Sequence, residues 1–166
     1  MTDGANGSKV TGPPKFNHFD HVSFPCRDLA EGIRFYRDVI GCEQIVETQG
    51  FAFFTIANIR FGIGSIGCTF MSEGAEYPHI AFNVGPKALV QMKEWLTACG
   101  IPTSDLWTRQ GVEALMFFLD PSRNVIELFC TEGYAGAADL PRGPARGHGT
   151  TLDLNEISYD QWSVPS

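Results

Sequence analysis

The sequence predicts an α+β fold: two βαβββ modules forming a cupped, barrel-like mixed sheet with the helices outside. An internal repeat, a period-two alternation at the start of each copy, and a recurring order of helix then strands predict it. From Asp20 the chain reads DHVSFPCRDLAEGIRFYRDVIG, and from Pro78 it reads PHIAFNVGPKALVQMKEWLTACG. Setting His21 over His79 aligns HVSF with HIAF. The two copies then run to Gly41 and Gly100, 20 and 21 residues after their histidines. An offset of 58 residues, kept to within one residue, marks one structural unit used twice.

Each copy opens with a strand. Side chains alternate along it, so Val22 and Phe24 oppose His21 and Ser23, and Ile80 and Phe82 oppose His79 and Ala81. A helix follows. Asp28 is a suitable N-cap, with Leu29, Ile33, Tyr36 and Ile40 at helical spacing behind it. Pro86 suits the first position of the second helix, whose apolar face is Leu89, Met92 and Leu96. Gly41 and Gly100 stand where a left-handed residue ends each helix. Three strand-like runs close each copy: CEQIVET, FAFFTIA and IRFGIGSIGCTFM in the first, LWTRQ, GVEALMFFLD and NVIELFCT in the second. Asp-Pro-Ser-Arg-Asn between the last two is a turn by residue chemistry.

The modules span 16–72 and 77–132 of one domain, 16–132. Residues 1–15 are Gly-, Pro- and polar-rich and read as a disordered lead-in. Residues 133–166 read as an arm: a Gly/Ala/Pro-rich stretch to Gly149, then TLDLNEISYDQWSVPS, which packs on the body or on a second subunit.

Composition bounds the function. The 166 residues are 43% hydrophobic and 19% charged, an ordinary globular balance. A formal charge of −7 without any Lys/Arg block argues against nucleic acid or an anionic membrane as partner. No apolar run approaches the roughly 18 residues of a membrane span, and the first residues lack a signal-peptide core, so a cytoplasmic protein is expected. Five scattered cysteines with no Cys-x-x-Cys argue against a disulfide framework or a thiolate zinc site; Cys68, Cys99 and Cys130 read as small core hydrophobes.

The alternation also assigns chemistry. The helices must cover Val22, Phe24, Ile80 and Phe82, which turns His21 and His79 to the concave face. On the last strand the same parity sends Ile126 and Leu128 under a helix and Glu127 into the concavity with Val125 and Phe129. A single strand histidine is usually a hydrogen-bonded structural residue. Two at equivalent positions of a repeat, joined by one carboxylate, are better read as ligands of one divalent ion. Two histidines and a carboxylate with open positions form the facial set of non-haem Fe(II) oxygenases.

The opening DHVSF…DLAEGIRFYRDVIG, the PHIAF strand and the ending FFLDPSRNVIELF resemble the vicinal oxygen chelate superfamily, over roughly Phe16 to Thr131. That superfamily includes glyoxalases, extradiol dioxygenases, fosfomycin-resistance thiol transferases and bleomycin-binding proteins. The resemblance implies paired βαβββ modules around a metal, with His21, His79 and Glu127 matching its ligand positions. Glyoxalase relatives add a fourth ligand, but the repeat puts Thr69 opposite Glu127. A transferase needs cations for its anionic substrate, and Arg109 is the plausible pocket cation among Lys87, Lys93, Arg109 and Arg123. Binding proteins generally lack the triad.

An Fe(II) dioxygenase acting on a small aromatic or vicinal diol is therefore the first expectation. A glyoxalase-like lyase or isomerase, or a fosfomycin-type thiol transferase using Mn, Ni or Zn, is the alternative, and a small-molecule binding or resistance protein the second. The expected partners are a small-molecule substrate, O₂ and a second copy in a homodimer. The expected pocket comprises Ser23, Ala81, Asn83, Phe117, Val125 and Phe129, with Phe117 where ring-cleaving relatives commonly carry tyrosine. Tyr77 and Arg109 are the catalytic candidates, with Tyr134, His18 and His148 as further residues that a loop could bring in.

Overall fold

The computed structural model describes residues 21–65, 79–143 and 152–165. The lead-in, Thr69, Tyr77, His18 and His148 lie outside them. Among the described residues, seven strands and two principal helices follow the order that the repeat predicts. The first module is β1 (His21–Pro25), α1 (Leu29–Arg34) running into a π-helical turn (Phe35–Val39), β2 (Glu43–Thr48), β3 (Phe51–Ile56) and β4 (Ile59–Gly64). The second is β5 (His79–Asn83), α2 (Pro86–Ala98), β6 (Ala114–Leu119) and β7 (Val125–Cys130). The sheets run β1-β4-β3-β2 and β5-β7-β6, each with its first strand parallel to its last and antiparallel hairpins elsewhere.

The local signals act as expected. The Asp28 carboxylate accepts the Glu31 amide at 2.9 Å and caps α1. Pro86 opens α2, and Gly41 and Gly100 take φ of 81° and 77° at the helix ends. One expected strand is missing. LWTRQ forms only isolated bridges, Trp107 to Leu115 and Thr108 to Arg142. The Glu113 carboxylate explains it, because it accepts the backbone amides of Arg109, Gln110 and Val112 and so removes them from any ladder. Those amides also hold the Glu113 carboxyl below the usual range, although burial alone would raise it.

One core joins the modules. Ala52, Phe54, Phe61 and Ile63 of the first sheet meet Ala114, Met116, Phe118, Ile126 and Leu128 of the second through Phe35, Tyr36, Leu89 and Leu96 of the helices. Burying each large apolar side chain contributes ~1.5–3 kcal/mol. The predicted turn locks the two halves together. Asp120, fully buried, accepts the amides of Ser122 and Asn124 and the side chains of Asn124 and Tyr36. The Asn124 amide donates onward to the Pro25 carbonyl at 2.8 Å, and Ser122 Oγ accepts the Arg27 amide at 2.7 Å. The end of β1 is thereby pinned to the β6–β7 turn. Burial pushes the Asp120 carboxyl up to about 6, and burial and the Asp120 charge raise the Tyr36 phenol well above its ordinary value, keeping it a donor.

The arm packs on the body of its own chain. Leu152, Leu154 and Ile157 join Trp107, Leu115, Phe117, Leu119 and Val125 in a second apolar cluster. Cys26, Cys42, Cys99 and Cys130 are buried free thiols, and burial pushes Cys42 up to about 12. No helix among the described residues is long and apolar enough to cross a membrane.

Candidate functional site

Parity places the candidate ligands as the alternation requires. In β1, Val22 and Phe24 pack on the core while His21 and Ser23 are exposed. In β5, Phe82 packs on the core and Ile80 is half-buried, with His79, Ala81 and Asn83 on the other face. In β7, Ile126 and Leu128 enter the core and Glu127 takes the opposite side with Val125 and Phe129.

His79 and Glu127 meet. Their strands are adjacent and parallel, and His79 Nε2 lies 2.9 Å from Glu127 Oε2. The other carboxylate oxygen, Oε1, accepts from Arg109 Nη2 at 3.0 Å. The Arg109 guanidinium also stands 5.9 Å from the centre of the Phe129 ring. Two of the three expected ligands are thus paired on one face, with the expected pocket cation beside them.

His21 does not join them within the chain. Among the described residues no group of three His, Cys, Asp or Glu side chains lies within reach of a common ion. The reason is the way the modules pack. Their helix-bearing faces share one core, so the histidine-bearing faces turn away from that core on its two sides. His21 stands on the outer face of the first sheet, its ring edge-on to Phe53 at 5.1 Å between centroids. Arg60, its register partner on β4, lays its guanidinium over Phe53 at 5.1 Å. Arg60 escaped the sequence reading because only the β1–β4 register puts it beside His21.

The expected pocket residues divide in two. Ser23, Ala81 and Asn83 are exposed on the histidine faces, Asn83 donating its amide to the Phe129 carbonyl at 3.1 Å. Phe117 and Val125 are buried under the arm, and they border the site from inside. Phe117 is the register partner of Glu127 and packs edge-on to His79 at 5.7 Å; Val125 is the register partner of His79. Tyr134 packs half-buried against the main core.

The donor chemistry fits half of a divalent-metal centre. An imidazole nitrogen and a carboxylate oxygen at hydrogen-bonding distance form a bidentate arm for Zn²⁺, Mn²⁺ or Fe²⁺, and a third ligand must come from elsewhere. A buried carboxylate needs a cationic partner, and Arg109 supplies one.

The family model described as the Glyoxalase/Bleomycin resistance protein/Dioxygenase superfamily matches residues 18–128. Among curated relatives, Metallothiol transferase FosB of Staphylococcus haemolyticus is 28% identical over 78 residues, 46% of this chain and 56% of that protein. The chain therefore spans little more than half the length of that relative. FosB of Staphylococcus saprophyticus is 22% identical over 111 residues, 66% of this chain and 74% of that protein. Among solved structures, the fosfomycin resistance protein FosX of Listeria monocytogenes, complexed with Mn(II) and sulfate, superposes with a TM-score of 0.61 at 22% identity, covering 75% of this chain and 96% of that one. Lactoylglutathione lyase of Agrobacterium tumefaciens gives 0.58 at 21% identity, covering 71% and 95%. At these identities the structures bear on the fold alone. None of these relatives is named as a dioxygenase.

Proposed function

Because the chain belongs to the glyoxalase/bleomycin resistance protein/dioxygenase superfamily, we propose that it is a divalent-metal enzyme whose centre is completed between two copies. His79 and Glu127 come from one chain and His21 from the other. Within one chain no third His, Cys, Asp or Glu among the described residues groups with His79 and Glu127, so a second copy is the natural source of the further imidazole. A closed two-fold dimer would build two such sites from the same surfaces.

We infer further that it adds a nucleophile, a thiol first, to a small anionic substrate of the phosphonate kind. This places the transferase reading ahead of the dioxygenase and Mn²⁺ ahead of Fe²⁺. The carrying observation is the Arg109 guanidinium held 3.0 Å from Glu127. A cation beside the ligands pairs with an anionic substrate oxygen, a need that a neutral catechol does not have. Arg60 beside His21 adds a second positive group to the composite site. When bound, the divalent ion supplies Lewis acidity toward a substrate oxygen. Arg109 and Arg60 orient the anionic head, and Phe53, Phe117 and Phe129 exclude water around the reacting carbon. The FosB name and the Mn(II) in FosX support this order of readings.

The test incubates Mn²⁺-loaded protein with a small thiol and an epoxyphosphonate, followed by phosphorus NMR. The proposal expects a new thioether phosphonate. Oxygen uptake by iron-loaded protein on a catechol panel, with no turnover of the phosphonate, would overturn it in favour of the dioxygenase. Turnover of a hemithioacetal alone would favour the lyase.

A further inference from the structure

The second module carries a cover made of its own chain on the face that holds the ligand pair. We propose that residues 152–159 are a fixed wall of the pocket at His79, Glu127 and Arg109 and set the size of the substrate group that fits there. This rests on the proposed function for the identity of the site, but the wall itself can be tested without any metal.

The cover is well packed. Leu152, Leu154 and Ile157 are 6%, 7% and 1% exposed. The residues sharing their cluster include Phe117 and Val125, the register partners of Glu127 and His79. The cover is also one-sided. It lies over the β6 and β7 positions, while Ala81 and Asn83 on β5 remain exposed. Side-chain exposure rises accordingly from 4% at Glu127 on β7 to 15% at His79 on β5. A carboxylate on the outer face of a three-stranded sheet would otherwise be open to water. The face is thus covered by the arm over β6 and β7 and open at β5.

Anchors make the cover a wall and not a lid. Tyr159 donates its hydroxyl to the Leu119 carbonyl at 2.9 Å, and its burial raises that phenol far above the ordinary range. Beyond it, Trp162 packs edge-on to Phe35 at 5.8 Å, lies under the Arg34 guanidinium at 5.0 Å and donates to Glu31 at 3.2 Å. The Ser163 amide closes on the Cys99 carbonyl at 3.0 Å. The arm is therefore fastened to both modules. The wall is aliphatic, so the group it accommodates is a compact apolar one, carried on the same molecule as the anionic head that Arg109 takes.

Two measurements test the wall. In metal-free, full-length protein, diethyl pyrocarbonate modification of His79 is followed by peptide mass spectrometry in wild type, Leu154→Ala, Ile157→Ala and the volume-keeping Leu154→Met, each checked for a cooperative thermal transition. The alanine variants should react several-fold faster at His79, and the methionine variant at the wild-type rate. Equal rates in all four, or acceleration by Leu154→Met as large as by Leu154→Ala, overturns the wall. In Mn²⁺-loaded protein, calorimetry with methyl- to hexylphosphonate should show affinity falling with chain length in wild type. Leu154→Ala should recover roughly fourfold per added methylene that the enlarged pocket buries. Unchanged length dependence in a variant that binds these phosphonates overturns the wall. If wild type binds neither Mn²⁺ nor phosphonate, the proposed function falls, and the His79 rates still decide the wall.

Discussion

The first module leaves its histidine face open, and the second encloses its own. His21 sits exposed beside Phe53 and Arg60 on a sheet whose outer side carries two half-buried phenylalanines, Phe51 and Phe53. His79 sits beside a buried carboxylate, a guanidinium and an aliphatic wall. The repeat gives both modules the same strand, the same helix stop and the same parity. What differs is what each last strand adds to the histidine face: Arg60 opposite His21 and Gly62 opposite Ser23 in the first module, Val125 opposite His79 and Glu127 opposite Ala81 in the second. Gly62 has a packing reason, since a Cβ there would come within 2.8 Å of the Phe51 ring. Duplication supplies the frame, and the divergence of the copies sets an arginine beside the first histidine and a carboxylate beside the second.

The largest test of that contrast is removal of the ligands. Glu127→Ala and His79→Ala should each weaken Mn²⁺ binding by at least ~100-fold, beyond the 10–100-fold typical of outer-shell partners. His21→Ala should do the same, although among the described residues no group of three His, Cys, Asp or Glu side chains forms within one chain. Electron paramagnetic resonance of free Mn²⁺ measures all three. Wild-type affinity in His21→Ala would leave the first module without a part in the centre.

How much of this is legible in the sequence follows from the range of each interaction. Asp28, Pro86, Gly41, Gly100 and the Asp120–Asn124 turn act within a few residues, so their chemistry can be read directly. Parity is equally local, and it puts each histidine on the correct face of its sheet. Parity does not say which sheet faces which. The expectation that all three ligands converge in one chain assumed that the two histidine faces oppose each other, whereas packing joins the helix-bearing faces instead. LWTRQ has a strand's composition but loses its amides to Glu113, a capture that strand propensity ignores. The arm's apolar residues are evident in the sequence, but their seat on Phe117 and Val125 depends on tertiary packing.

The seam between the modules gives a second effect of nearly comparable size. Asp120 is raised from 3.8 to about 6 by burial, so the folded chain binds more protons than the unfolded chain between those values. Stability from this group is present in full below about pH 4 and is lost as pH rises toward 6. At 1.36 kcal/mol per unit the loss is roughly 3 kcal/mol. Asp120→Asn should flatten this part of the profile in urea titrations, and a profile that keeps its wild-type slope would place the titration elsewhere.

A smaller effect sharpens the roles of the two arginines. Arg109→Ala should lower methylphosphonate affinity by about tenfold, on the scale of one charge-assisted hydrogen bond, with Mn²⁺ still bound. Arg60→Ala should act in the same direction and less strongly, since its guanidinium rests on Phe53 and its distance from the anion is set by the partner's approach. Calorimetry on the Mn²⁺-loaded variants reads both.

The central claim, a centre shared between copies, has a direct test in complementation. His21→Ala and Glu127→Ala proteins, each unable to bind Mn²⁺ tightly, are mixed, unfolded and refolded together. In a two-fold dimer the mixed pair holds one site with both defects and one intact site, so random assortment restores about one quarter of the wild-type Mn²⁺ capacity. Recovery of that fraction at wild-type affinity is the predicted result. No recovery from the refolded mixture, with wild type refolded in parallel binding Mn²⁺ in full, would contradict a shared centre.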